Sequence, residues 1–243
     1  MQMRSIQYFY IDILFSLKVS LLAFSEGIIM NTTDSIKGAP LPSIRRLPQY
    51  LQLLRQMQTK GRIAVSCTHL ADDLGFTSTQ VRKDLAVTGI IGKPKVGYIT
   101  EELIASIENF LGWNNYSDAF LVGVGNMGNA LLGYDDFRLH GLNIVAAFDA
   151  NPEKIGKNVH NCEIFALDKM YELAERMHIQ IGILTVPAAA AQSVASEMVL
   201  AGIRAIWNFS PVALEVPDSI IVENVRLYSS LAVLTSRLAN TNK

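Results

Sequence analysis

Cysteine and histidine are scarce in this chain of 243 residues. Two cysteines occur, Cys67 and Cys162, and four histidines, His69, His140, His160 and His178. The cysteines fall in different expected domains and no metal-ligand spacing is formed, which argues against a disulfide framework or a zinc site and fits a reducing cytoplasm. An uninterrupted apolar span is also lacking. Ile6 to Ile29 is the most apolar stretch, but Asp12 and Lys18 would lie within it, and charges in a bilayer core are costly. No small-residue cleavage site follows a clean apolar core, so a secretory signal fits poorly. Met30 then opens a polar segment, Asn31 to Gly38. The expectation is that residues 1–29 are an upstream translated extension, that synthesis naturally begins at Met30, and that residues 1–40 stand outside the folded domains.

Net charge is lacking too, at −1, but its distribution is uneven. Residues 41–100 hold nine Lys/Arg against three Asp/Glu, a balance of +6, whereas residues 101–243 hold nine against sixteen, a balance of −7. This asymmetry points the first part of the chain towards a polyanion and the second away from one. Half the residues are hydrophobic, enough for two modest domains with their own cores.

What is present centres on Asp118 to Ala130. The apolar run Ala119 to Val122 leads into Gly123-Val124-Gly125-Asn126-Met127-Gly128, a helix-compatible stretch follows, and a second apolar run, Asn143 to Phe148, ends in Asp149. Strand, glycine turn, helix, strand and acid in this order form the dinucleotide-binding fingerprint. Gly123 permits the tight turn, Gly125 lets the backbone approach a pyrophosphate, and Gly128 lets the helix lie close on the strand, with its N-terminus attracting the phosphates. A carboxylate at 149 would accept from a ribose 2′-OH and repel a 2′-phosphate, favouring NAD(H), although nearby Lys154 weakens this. Asp149 as a turn or cap residue before Asn151-Pro152 is the alternative. Beyond this unit, strands are expected at 119–124, 143–148, 162–165, 180–186 and 203–209, with helices at 126–134, 167–177 and 188–201, giving a doubly wound parallel sheet. The strand end Thr185-Val186-Pro187 should lie beside the glycine turn and receive the nicotinamide half.

Upstream, Pro42 and Pro48 bracket Ser43 to Leu47, and Leu47, Leu51, Leu54 and Met57 follow at helical spacing. Ser66 or Thr68 can cap a second helix, Gly75 takes a turn, and Ser78 caps a third. Ala71, Gly75 and Val81 stand at the spacing of a helix-turn-helix, in which Ser78, Thr79, Gln80, Arg82 and Lys83 face a major groove. Gln can read adenine and Arg guanine. The bland alternative is a solvated face on a small helical bundle. Gly89 to Ile99 reads as a hairpin with Lys93 and Lys95 at its tip, a wing suited to phosphate or minor-groove contact.

A dehydrogenase requires a proton donor or acceptor beside the nicotinamide. The strand ends offer Thr185 and Asn208-Phe-Ser-Pro211, with no His or Lys beside them, which leans towards binding without turnover. The competing readings are an NAD-dependent oxidoreductase with a small accessory domain and a CoA- or nucleotide-binding interaction module. Neither explains the basic residues 41–100. The tail carries Leu227, Leu231, Leu234 and Leu238 at helical spacing, a face that needs cover from its own domain or from a partner subunit.

The chain from about Ser43 to Asn240 resembles the Rex family of redox-sensing transcriptional repressors. The resemblance is carried by Arg46-Leu-Pro-Gln-Tyr50, Gln80-Val-Arg-Lys-Asp-Leu85, Gly97-Tyr98, the glycine turn, Phe148-Asp149, Ile155-Gly156, Leu184 to Ala188 and Asn208 to Pro211. It implies an α/β protein: a winged-helix domain over 41–112, a Rossmann-type NAD(H)-binding domain over 113–225, and a C-terminal helix, 226–243, exchanged within a homodimer. It implies a repressor that binds a palindromic operator and is released by NADH, with NAD⁺ opposing release. Tyr98 joins the glycine turn, Asp149 and Thr185 to Pro187 as cofactor-binding on this basis. Arg46 joins Ser78, Gln80, Arg82, Lys83, Lys93 and Lys95 as DNA-binding. The chain departs from the family pattern at Gln52, where arginine is common, at Arg226, where an acid is common, and at Lys95, where glycine is common. The first two belong, in the family, to an interdomain network around the Tyr98 equivalent.

Overall fold

The computed structural model describes residues 35–36, 38–115 and 117–241. The expected upstream extension, residues 1–29, lies outside them. Among the described residues, no helix is long and apolar enough to cross a membrane. The chain divides into two compact units between Ile104 and Ala105, eight residues before the expected boundary at 112/113.

The first unit opens with a short antiparallel pair, β1 (Ser35–Ile36) and β2 (Ala39–Pro40). Helix α1 (Leu41–Thr59) follows. Its second residue is Pro42, where the missing N–H is no loss, but Pro48 lies inside the helix. The two prolines therefore do not bracket a separate segment. An interior proline costs about 3 kcal/mol, and burial of Leu47, Tyr50, Leu51, Leu54 and Met57 on both sides of it keeps the helix continuous.

Helix α2 (Cys67–Leu74) is capped by Ser66, whose hydroxyl accepts from the His69 N–H at 3.2 Å. Gly75 then turns the chain through a left-handed conformation at φ +70°. Helix α3 (Ser78–Ala86) is capped by Thr77, accepting from the Gln80 N–H at 3.2 Å. Ser78 is thus the first helical residue and not the cap. Ala71 and Val81 are buried where the helices meet, so the helix-turn-helix forms as the spacing predicts.

Two short strands complete the unit, β3 (Ala64–Val65) and β4 (Tyr98–Ile99), paired antiparallel. The wing between α3 and β4 closes through a Lys93–Gly97 bridge. Gly97 is required there, at φ +89°, because a side chain would collide with the Val65 carbonyl. Helix α4 (Thr100–Leu111) runs across the division.

The second unit is a seven-stranded sheet, with strands β5 (Ser117–Val122), β6 (Leu142–Phe148), β7 (Asn158–Val159), β8 (Cys162–Phe165), β9 (Ile181–Leu184), β10 (Ala205–Asn208) and β11 (Ile221–Asn224). Their order is β11-β10-β9-β5-β6-β8-β7, all parallel except β7 against β8. The reversal falls between β5 and β9, so the doubly wound expectation holds. Helices α5 (Asn126–Leu132), α6 (Asp136–Leu139), α7 (Met170–Met177) and α8 (Ala188–Leu200) connect the strands. Phe120, Val122, Phe148, Leu184 and Ile206 pack into one apolar cluster with α7 and α8 residues, while Leu121, Ala147 and Ile183 pack into the other. Burial on both faces accounts for the continuous apolar strand sequences.

In the second unit, three elements escape the sequence reading. β7 pairs with β8 through His160 and Asn161, both at positive φ, a tight turn of the type usually signalled by Asn-Gly. β11 is an exposed edge strand, and α6 is a single turn. The chain ends in α9 (Leu227–Thr241), which buries none of its residues.

Candidate functional site

The glycine turn sits at the carboxyl end of β5, between β6 and β9. Gly123 has φ +101°, and a Cβ there would lie 2.8 Å from the Val186 side chain and 2.9 Å from the Thr185 carbonyl carbon. A Cβ on Gly128 would collide with the Gly123 carbonyl oxygen and lie 3.0 Å from Thr185 Oγ1. A Cβ on Gly125 would meet nothing within 4 Å. Two glycines are therefore demanded by the fold itself, and the third faces open space.

That space is a cavity of about 520 Å³, lined among others by Gly123, Gly125, Asn126, Met127, Asp149, Lys154, Thr185, Val186 and Pro187. The structure brings the expected turn, acid and strand end together. The first amides of α5, which a helix leaves without intrahelical partners, and the positive end of its dipole suit this mouth to phosphate.

Two of the expected cofactor contacts prove to hold the site as well as line it. Thr185 Oγ1 donates to the Gly123 carbonyl at 2.6 Å, with the Val122 carbonyl 3.1 Å away, bracing the turn from the neighbouring strand. The Val124 N–H is taken by Asp149 Oδ2 at 2.8 Å. Asp149 is buried, and its other oxygen accepts from the Asn151 N–H at 2.8 Å. Lys154 Nζ donates to Asp149 Oδ2 and to the Val124 carbonyl, each at 2.9 Å. Burial opposes the carboxylate charge, but bonds from the Asn151 N–H, the Lys154 ammonium and the Val124 N–H outweigh it and hold the carboxyl below its ordinary range. Asp149 is thus a turn anchor that also lines the cavity.

A second cavity of about 500 Å³ adjoins the first through Met127, which lines both. It runs along Phe209, Ser210, Asn224 and Arg226 to Tyr228 at the start of α9. Two of its lining residues are held by Asn208, wholly buried, which donates to the Val212 carbonyl and to Asn224 Oδ1. Ser210 Oγ donates to the Val186 carbonyl at 2.7 Å. These two polar side chains tie the ends of β9, β10 and β11 together, and the Asn208 to Pro211 motif was their only signal.

In the first unit, Arg82 and Lys83 are exposed on α3, with Ser78 and Gln80 half-buried at the edges of the same face. Lys93 and Lys95 are exposed on the wing. Lys93 pairs with Glu102 at 3.3 Å, both more than half exposed, a contact of little energetic weight. Lys95 occupies φ +64°, a conformation that disfavours side chains.

Arg46 is engaged within the unit: its guanidinium grips Asp84 of α3 with two bonds, 2.6 and 2.7 Å long. The Tyr50 hydroxyl donates to the same carboxylate at 2.7 Å. Asp84 is buried, yet its bonds to Arg46, Ser43 and Tyr50 outweigh the desolvation and lower its pKa. Arg46 and Tyr50 therefore fix the recognition helix onto α1. The sequence reading missed Asp84, whose only signal was an acid amid the basic run of α3.

Tyr98 is buried on β4, and burial followed by the neighbouring Cys67 thiol raises its pKa. It lines a first-unit cavity with Arg82, Lys93 and Lys95, whereas the residues named around the glycine turn all belong to the second unit.

A basic winged helix in one unit and a dinucleotide-type site in the other define a ligand-binding, DNA-binding regulatory protein. Residues 39–86 match the family described as a putative DNA-binding protein N-terminus, and residues 114–212 match the CoA binding domain. Over 202 residues the chain is 46% identical to the redox-sensing transcriptional repressor Rex of Treponema denticola, covering 83% of this chain and 96% of that one. It is 42% identical to Rex of Bacteroides fragilis over 205 residues, 84% and 93% of the two chains. The crystal structure of RSP in complex with β-NAD⁺ and operator DNA superposes with a TM-score of 0.80 at 35% identity, covering 86% of this chain and 95% of that one. RSP in complex with β-NADH gives 0.77 at 35%, covering 84% and 96%. The chain belongs to the Rex family of redox-sensing transcriptional repressors.

Proposed function

We propose that this chain is an NADH-responsive repressor, acting in the cytoplasm as a homodimer on palindromic operator DNA and leaving it when NADH binds. The carrying observation is the pairing of two built sites on one chain: the glycine turn with Asp149 in the second unit, and the exposed Arg82, Lys83, Lys93 and Lys95 in the first. Relatives crystallised with NAD⁺ and operator DNA, and with NADH, support the same reading. Linkage supplies the logic. NADH must bind the DNA-incompetent state more tightly, and operator DNA must then weaken NADH binding by the same factor.

The nucleotide is read as a signal and is not consumed. Thr185, the polar group at the expected nicotinamide seat, spends its proton on the turn beneath it, and the relatives are named as repressors. The apolar stripe of α9, with Leu231, Leu234 and Leu238 more than half exposed, suits a two-fold partner, and two-fold symmetry suits a palindrome. Tyr98 as a cofactor contact belongs to this proposal also. The test is operator binding at fixed salt, titrated separately with NADH, NAD⁺ and NADPH. Release at low NADH, with NAD⁺ opposing it, is expected. DNA binding indifferent to NADH would defeat the proposal, and steady hydride turnover would favour an NAD-dependent oxidoreductase.

A further inference from the structure

The contact between Arg46 and Gln80 constrains which base the recognition helix can read. Gln80 and Asp84 lie one turn apart on α3, both on the side towards α1. The Arg46 guanidinium holds Asp84 through Nε and one terminal nitrogen, and its other terminal nitrogen faces the Gln80 carboxamide. A guanidinium carries only donors. The end of the carboxamide that meets it must therefore be the oxygen, which accepts from Nη1 and Nε of Arg46 at 3.3 Å. Gln80 is half-buried, so its inward end is committed and its NH₂ group is the polar end left towards the groove.

A glutamine that reads adenine needs both ends, the oxygen accepting from N6 and the nitrogen donating to N7. With the oxygen turned inward, that bidentate pairing is closed. Two N–H donors match instead the adjacent O6 and N7 acceptors of guanine, while the N6 amino group of adenine would oppose them. We propose that Gln80, oriented by Arg46, reads the operator as a donor only and selects a G·C over an A·T pair where it touches the major groove. This replaces the adenine reading drawn from the residue type. Asp84 makes the orientation rigid, since the carboxylate fixes Arg46 and Arg46 fixes the amide. Arg46 thereby serves as a positioning residue for base recognition.

The proposal rests on the DNA-binding reading above, and the test separates the two. Duplexes randomised over the operator length are selected with the full-length wild-type protein, Gln80→Ala and Gln80→Glu at one salt concentration. The glutamate variant keeps an acceptor for Arg46 but presents no donor. The wild type should enrich a palindrome with G·C at one pair in each half-site, and both variants should flatten that pair by about 10-fold or more while the other positions persist. An A·T preference at the pair the variants flatten, or no pair flattened by either, overturns the role of Gln80 and leaves DNA binding standing. A wild type that enriches nothing overturns both.

Discussion

Replacing Gly125 with alanine separates what a ligand demands of the glycine turn from what the protein demands. The backbone there has φ −82° and ψ −162°, open to any residue, and an added methyl would touch nothing within 4 Å. Alanine for glycine at a compatible site stabilises by about 0.4–1 kcal/mol through the unfolded chain, so the unliganded protein should melt no lower than its parent. Binding should respond differently. A phosphate oxygen bonded to a backbone N–H of the turn stands about 2.9 Å from that nitrogen, inside the space the methyl takes. Loss of one hydrogen bond to a charged group costs about 1.5–3 kcal/mol, or roughly 10- to 150-fold in NADH affinity. Gly128→Ala is the contrast: its methyl would strike the Gly123 carbonyl and crowd Thr185. Such overpacking costs about 1–3 kcal/mol, and the melting temperature should fall by roughly 3–10 °C. Thermal scans without ligand, beside calorimetric titration with NADH, read both effects. The reasoning fails if Gly125→Ala melts as low as Gly128→Ala, or if it binds NADH within about twofold of the parent.

Four further outcomes follow from the same geometry. Lys154→Met removes the cation bound to Asp149, so NADPH affinity should fall more than NADH affinity; equal losses in paired titrations would deny Lys154 any part in 2′-phosphate tolerance. Lys95→Gly relieves a side chain at φ +64° and should stabilise the protein by about 1 kcal/mol, while reducing the slope of log affinity against log salt for DNA by about 0.9 per wing, about 1.8 for a dimer; an unchanged slope would place Lys95 off the backbone. Asp84→Asn should cost about 3–5 kcal/mol by leaving Arg46 without its partner. Because the folded Asp84 pKa is lowered, its stabilisation is complete above the ordinary value of about 3.9 and is lost as pH falls through the folded value, so the variant should lose the acid-dependent limb below about pH 4 in denaturation curves. Deleting residues 226–243 removes α9, and sedimentation should then show a monomer with weakened operator binding; a persistent dimer would move the interface elsewhere.

The two glycines that the fold itself requires are of different kinds. Gly123 is fixed by its backbone angle and by the Val186 side chain, Gly128 by the helix lying against the turn. Thr185 joins them, since its hydroxyl bonds the carbonyl that the Gly128 position must clear. The cradle is therefore held by the protein's own contacts. Asp149 is held in the same way by Asn151, Val124 and Lys154. Asp149 and Lys154 form an ion pair at 2.9 Å, so the cation that the sequence placed near the acid is bonded to it directly.

How much of this was legible in the sequence depends on what each residue's neighbours are. The strand runs Phe120 to Val122 and Ile181 to Leu184 declare themselves because both faces of the sheet are covered, so every position is apolar. The turn at Gly75 and the crossing at Ala71 are legible because steric demands act on single residues at fixed spacing. Strand β11 escapes because an exposed edge imposes no pattern on Ile221 to Asn224, and β7 escapes because His160 and Asn161 adopt positive φ without a glycine to announce it. Arg46 and Asp84 lie 38 residues apart, and their pairing is set by the tertiary packing of α1 on α3, which no local period records. Residue type identifies Gln80 as a base reader, since a carboxamide can donate and accept. Which end it turns inward depends on a guanidinium from another helix, which a sequence argument limited to one helix does not see.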